Sequence, residues 1–257
     1  MLDERLISRL HMHAEHRELL RSGEPPDEIF QTSTIAALLD GAYEGDLSFA
    51  ELMRHGDLGL GTLNGLDGEM IALGGEFMRA DIDGLIAPVE PDALTPFAVV
   101  VSFEPTALAE LVGPLDHAAL LAALDELIPA GSAACAVRVD GRFEELRARS
   151  VPRQKPPYRP LVEVAAEQRV FELGPTEGTL VGFRFPDWAE GVEISGFHLH
   201  YVDDERARGG HVLDCRLAEG RAAVDVSRHL HLELPRGVEL PDSGLDEGSS
   251  RGLHAAE

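Results

Sequence analysis

Lysine is nearly missing from this chain of 257 residues: of its 22 basic residues, only Lys155 is a lysine, and the rest are arginines. Chemistry through a lysine imine would have to run through that residue. Its setting, Arg153-Gln-Lys-Pro-Pro-Tyr158, reads as an exposed turn, whereas an imine lysine needs desolvation to lower its pKa. Bases are scarce as a class against 46 acids, and the formal charge of −24 excludes the clustered cations that nucleic acid or an anionic membrane requires. The two cysteines, Cys135 and Cys215, match no Cys-x-x-Cys or zinc-ribbon spacing and read as small buried hydrophobes. No stretch reaches about 18 uncharged apolar residues, so no membrane helix is expected. The first residues carry charges without an apolar secretion core, and the expected location is the cytoplasm.

What is present is an ordinary globular composition, 44% apolar, with Gly and Pro punctuation. Leu2, Leu6 and Leu10 repeat at i+4 and predict a helical N-terminal extension within residues 1–27, the helix spanning 2–21. Residues 28–151 read as a mixed α/β domain. Thr32-Ser-Thr34 and Ser48 offer helix caps, the glycine-rich run Gly59 to Gly68 reads as strand and hairpin turn rather than phosphate loop, and residues 106–129 read as two helices. The Pro-rich stretch 152–160 marks a boundary. Beyond it, residues 152–240 read as one helix and consecutive strands, among them 211–218 and 222–226 as separate segments, and 241–257 as a polar tail. The fold class expected is α/β in the α+β sense, a mixed-sheet first half followed by a mainly antiparallel sheet that carries the site.

The sharpest feature is Gly196-Phe-His198-Leu-His200-Tyr, a charged glycine-rich turn, and then His211. On a strand, residues i and i+2 share a face, so His198 and His200 stand together while Phe197, Leu199 and Tyr201 face the core. The turn returns the chain so that His211 sits across from them. Three imidazoles without a fourth protein ligand describe an open metal site of the catalytic zinc kind. Cys215 shares the parity of His211 but lies about 13 Å along a strand, too far to complete the shell. Three other readings remain. His229-Leu-His231 has the same spacing, and His198-x-His200 with Glu205 approximates the first motif of a cupin, a fold that hosts iron or manganese for oxygen chemistry. A non-catalytic binding module with a vacant histidine cluster is the third.

The words around these histidines resemble the α-acetolactate decarboxylase family from about Phe30 to Val226. The match includes Thr32-Ser-Thr-Ile-Ala-Ala-Leu-Leu-Asp-Gly-Ala-Tyr-Glu-Gly-Asp46, Gly56-Asp-Leu-Gly-Leu-Gly-Thr-Leu-Asn-Gly-Leu-Asp-Gly-Glu-Met70 and Gly75-Glu-Phe77. It continues through Pro156-Pro-Tyr158, Gly182-Phe183, Gly196-Phe-His-Leu-His-Tyr201 and Asp203-Asp-Glu-Arg-Ala-Arg-Gly-Gly-His-Val-Leu-Asp214.

The resemblance implies a zinc ion on His198, His200 and His211, with Glu69, Arg149 and a C-terminal glutamate, best matched by Glu257, as catalytic groups. It implies release of CO2 from 2-acetolactate to give acetoin, in a two-domain homodimer. Arg149 would pair with the substrate carboxylate, and Glu69 with Glu257 would deliver the proton. Arg147, two residues away on the same strand face, is the natural substitute for Arg149.

Overall fold

The computed structural model describes residues 11–16, 28–129 and 134–238. In chain order the elements are β1 (His11–His16), β2 (Glu28–Thr32), α1 (Ile35–Leu39), β3 (Leu47–Ser48), α2 (Phe49–Leu52), β4 (Leu58–Thr62), β5 (Glu69–Leu73) and β6 (Glu76–Ala80). Next come β7 (Ile86–Pro88), β8 (Leu94–Thr95), β9 (Phe97–Val101), β10 (Ala107–Asp116), α3 (His117–Leu127) and β11 (Ala134–Ser150). The last are α4 (Leu161–Ala165), β12 (Arg169–Glu172), β13 (Thr176–Phe185), β14 (Gly196–Asp203), β15 (Gly209–Ser227) and β16 (His229–Leu234).

Two large sheets hold the molecule together. The first runs β1-β16-β2-β9-β4-β5-β6-β7 and is mixed, with β16 parallel to both β1 and β2. The second runs β10-β15-β14-β13-β11-β12 and is antiparallel throughout. A further β11–β15 pairing closes β11, β13, β14 and β15 into a ring. The α+β class is as expected. Sheet membership, however, cuts across the boundary at Pro152, because β10 and β11 precede it in the second sheet while β16 returns to the first.

Alternation along the strands explains how the layers stack. Ile71, Val99 and Leu230 of the first sheet share a core with Val181, Phe183 and Val202 of the second. Leu180, Leu199, Tyr201 and Phe143 fill the inside of the closed ring. On the far face of the first sheet, Met70, Ala98 and Phe30 pack against Phe49 and Leu52 of α2. The caps read from sequence are in place. The Thr34 hydroxyl accepts from the Ala37 N–H, and Ser48 with Glu51 forms a full capping box.

Three expectations fail, each for a local reason. Residues 11–16 form a strand, not part of a helix: His11-Met-His-Ala-Glu-His16 alternates with period two and pairs residue for residue with β16. The rest of the stretch 2–21 lies outside the described residues. Residues 107–116 are strand β10 rather than helix, because Pro114 removes a backbone donor that a helix interior needs. Residues 211–218 and 222–226 belong to one strand, β15. Gly220 is a close approach and not a turn: a Cβ there would stand 2.7 Å from the Asp140 carbonyl oxygen on β11.

The Pro-rich segment 152–160 is not a free linker. The Gln154 N–H donates to the Gly65 carbonyl at 2.6 Å, Arg153 pairs with Asp67 at 3.1 Å, and the Tyr43 hydroxyl donates to the Arg159 carbonyl at 2.9 Å. Residues 241–257, including Glu257, lie outside the described residues.

Candidate metal centre

The ring-closing strands carry the histidines. On β14, Leu199 and Tyr201 point into the ring, which turns His198 and His200 outward toward the first sheet. The β14–β15 hairpin then brings His211 directly opposite His200. Ring centroids lie 5.2 Å apart for His198–His200, 5.0 Å for His198–His211 and 5.3 Å for His200–His211. One nitrogen from each ring comes within 4.8 Å of the other two, and all three side chains are buried. Among the described residues this is the one His/Cys/Asp/Glu group of three or more close enough to hold an ion.

The ring orientations are fixed from behind. His200 Nδ1 donates to the Met70 carbonyl at 2.8 Å, a group of the first sheet, which leaves its Nε2 buried without a hydrogen bond. His198 Nδ1 lies 3.2 Å from Glu193 Oε1. Burial drives the ring pKa values of His200 and His211 well below the ordinary value, with the neighbouring His198 adding to the effect on the first and Arg149 on the second. Both rings therefore stay neutral and keep a lone pair. Three buried imidazoles, two of them (His198 and His200) held from behind through Nδ1, fit a divalent cation of the zinc class and leave coordination positions for a ligand.

Glu69 and Arg149 complete the cluster. Glu69 opens β5 opposite Thr62 and is 7% exposed, not the solvated hairpin charge that its position suggests. Its Oε2 lies 3.7 Å from His200 Nε2 and its Oε1 lies 3.6 Å from Arg149 Nη1. Burial pushes its carboxyl above the ordinary range, opposed by the Arg149 guanidinium and by His198. Arg149 is the β11 neighbour of His211 and is likewise 7% exposed. Arg147 stays half-exposed, 3.7 Å from Asp214. Position along the strand, rather than face, separates the two arginines.

A cavity of about 50 Å³ adjoins these groups, its apolar wall supplied by Ile35, Leu38, Leu66, Phe97, Val151 and Leu161. The other candidates go elsewhere. His231 lies on the far face of the first sheet, edge-on to Phe30 with Glu28 and Glu233 beside it. Glu205 is exposed in the β14–β15 turn. Cys215 does not share the face of His211: an extra residue at Leu213 in the β11–β15 register turns Cys215 into the ring, 3.5 Å from His117 Nδ1. Sequence reasoning missed Glu193. Its only signal is an acidic residue in the mainly apolar stretch Gly191-Val-Glu-Ile194, five positions ahead of His198.

Residues 29–247 match the family described as alpha-acetolactate decarboxylase. A protein of Methylococcus capsulatus named alpha-acetolactate decarboxylase is 44% identical over 257 residues, covering 100% of this chain and 99% of that protein. One from Klebsiella aerogenes with the same name is 41% identical over 215 residues, 83% of each chain. The crystal structure of acetolactate decarboxylase from Bacillus subtilis subspecies spizizenii superposes with a TM-score of 0.84 at 33% identity, over 90% of this chain and 100% of that one.

Proposed function

This chain belongs to the alpha-acetolactate decarboxylase family, and on that premise we propose that it converts 2-acetolactate to acetoin and CO2, with zinc held by His198, His200 and His211. The observation that carries the reading is the meeting of three buried imidazoles with a buried Glu69–Arg149 pair at one small cavity. An ion held by these histidines would supply Lewis-acid stabilisation of the charge left as CO2 departs.

The protein's own groups do the rest. Arg149 has a fixed planar fork and binds the substrate carboxylate, setting the direction of the bond that breaks. Burial raises the proton affinity of the Glu69 carboxyl against the pull of Arg149, which suits it to deliver a proton to the carbon that loses CO2. Glu257 is the second acid of this proposal. The apolar wall of Ile35, Leu38, Leu66, Phe97, Val151 and Leu161 excludes water, so the charges act at low dielectric.

Two further assignments belong to the same reading. The protein works in the cytoplasm, a reducing compartment that suits its two buried free thiols. It works as a homodimer, for which the exposed Leu85, Leu108, Val112 and Val170, at or beside edge strands, offer apolar surface for a second copy. Among the described residues no helix is long and apolar enough to cross a membrane.

The test is metal analysis of the purified protein together with a colour assay for acetoin. We expect about one zinc per chain and acetoin formed from acetolactate under anaerobic conditions. Oxygen consumption with redox-active iron would replace this reading by the cupin one, and neither product nor bound metal would leave a binding module. Glu69→Gln is expected to lower turnover and erode the handedness of the acetoin. Unchanged turnover and handedness would refute the proton-donor role.

A further inference from the structure

Glu193 is completely buried, yet the site as described gives it no chemical task. It sits in the short connection between β13 and β14, after the 3-10 turn Asp187–Ala189. That connection is pinned to the first sheet rather than left as a loop. The Gln31 side chain, itself fully buried on β2, donates from Nε2 to the Val192 carbonyl at 2.7 Å and to the Ser33 carbonyl at 2.9 Å. The Ile35 and Ala36 N–H groups at the start of α1 donate to the Val192 and Gly191 carbonyls, each at 3.0 Å, and the Glu193 N–H donates to the Ala189 carbonyl at 3.0 Å. The backbone of Glu193 is thereby held from both sides, and its carboxylate has one side-chain neighbour within hydrogen-bond distance, His198 Nδ1 at 3.2 Å. The other carboxyl oxygen, Oε2, is buried without a hydrogen bond, and burial pushes the group up to about 8 against the backbone hydrogen bond from Ile194.

A carboxylate in such a place costs several kcal/mol unless something compensates it. A cation bound beyond the imidazole would supply that compensation, since a carboxylate behind a ligating histidine raises the basicity of its other nitrogen. Resting on the metal reading above, we propose that Glu193 is a positioning residue for the ion: its carboxylate accepts the Nδ1–H of His198, which fixes the ring tautomer and aims Nε2 at the centre shared with His200 and His211. The two ligands of β14 are thus oriented by different means. A backbone carbonyl, that of Met70, holds His200, and a buried carboxyl, able to ionise beside a bound cation, holds His198. Only the second adds attraction for the cation, and only the second is removable by mutation. Gln31 acts one step further out, by fixing the turn from which Glu193 reaches.

The experiment measures zinc affinity of the full chain. Wild type, Glu193→Gln, Glu193→Asp and Glu193→Ala are stripped of metal, reloaded and titrated against a chromophoric zinc chelator, with His211→Gln as the control that should bind no zinc tightly. Loss of an outer-shell partner of this kind weakens metal affinity about 10- to 100-fold. We expect Gln near the lower end, because it keeps the shape and loses the charge, Ala near the upper end, and Asp between Gln and wild type. Saturating zinc should restore the kcat of Glu193→Gln, because the defect lies in occupancy and not in proton delivery. Affinity of Glu193→Gln within about twofold of wild type, with the melting point of the stripped protein unchanged, overturns the proposal while leaving the metal reading intact. Failure of the wild type itself to bind zinc overturns the metal reading and this proposal with it. Where the variants do not fold, 15N NMR of the histidine rings in zinc-loaded wild type decides. A protonated Nδ1 on His198 supports the assignment, and a protonated Nε2 sinks it.

Discussion

Arg149→Ala and Arg147→Ala, compared side by side, test whether position along β11 decides which arginine serves the substrate. The two residues are two positions apart and face the same way, with Ala148 buried in the ring between them. Arg149 is 7% exposed and faces Glu69 at 3.6 Å, while Arg147 is half in solvent, 3.7 Å from an exposed Asp214. A charge-assisted hydrogen bond to a buried carboxylate is worth about 1.5–3 kcal/mol. At about 1.4 kcal/mol per decade, Arg149→Ala should lower kcat/KM roughly 10- to 100-fold. Arg149→Lys should recover part of this, because it restores the charge without the fork. Stability should suffer less than the rule for broken buried pairs, about 3–5 kcal/mol, would give. With Arg149 gone, Glu69 loses the main group that opposes its desolvation and escapes by taking up a proton. Arg147→Ala should stay within about 0.5 kcal/mol in stability and leave kcat/KM near wild type. Acetoin production by the zinc-loaded variants and their urea midpoints check all of this. Equal losses in the two alanine variants, or none at Arg149, would refute the reasoning.

Other expectations follow from the packing around the site. Burial pushes both thiols, Cys135 and Cys215, up to about 12, so the native protein should resist iodoacetamide at neutral pH and alkylate fully in urea, as mass spectrometry would record. Burial lowers the pKa of His117, with Asp214 and Asp116 pulling the other way; the folded state therefore binds fewer protons than the unfolded chain. That contribution is present above the unfolded pKa of about 6.5 and is lost as pH falls through it toward the folded value, so urea midpoints should drop between about pH 7.5 and 5.5, and less in His117→Gln. Gly182→Ala should destabilise by about 1–3 kcal/mol or more, since its Cβ would stand 2.0 Å from the His198 carbonyl oxygen on the paired strand. Differential scanning of Gly182→Ala beside a surface control would read that loss.

How far the sequence reveals this arrangement depends on whether a feature is local. The caps at Thr34 and Ser48 and the facing of His198 and His200 follow from spacing alone, and each is where that spacing puts it. Features set by a neighbour in space are hidden. The extra residue at Leu213 reverses the parity of Cys215, and only its mismatch with β11 betrays it. Gly220 has the composition of a turn but serves as a point of backbone contact. Glu193 has no motif at all. What makes it notable is zero exposure, a property that its partners Gln31 and Val192, drawn from both sides of the sheet interface, confer on it.

That interface is also the reason the site divides its labour between the sheets. The second sheet supplies His198, His200, His211 and Arg149 from strands that close into a ring packed by Leu180, Leu199 and Tyr201. Such a closed frame fixes nitrogen positions to the tolerance a metal demands. The first sheet supplies Glu69, the Met70 carbonyl and the Gln31 anchor, and meets the ring through packing, a few polar contacts and one backbone bridge, Leu85 to Arg208, beside β7. Among the described residues no ladder pairs β5 with β14 or β15, so small movements between the layers change the distance from Glu69 to the imidazoles without disturbing the imidazoles themselves. Mutations in the shared core, Ile71 or Phe183 among them, should therefore slow proton delivery before they loosen the ion, whereas mutations inside the ring, at Leu199 or Tyr201, should loosen the ion first. Measuring turnover and zinc affinity on both sets separates the two, and identical losses within each set would mean that the layers move as one body.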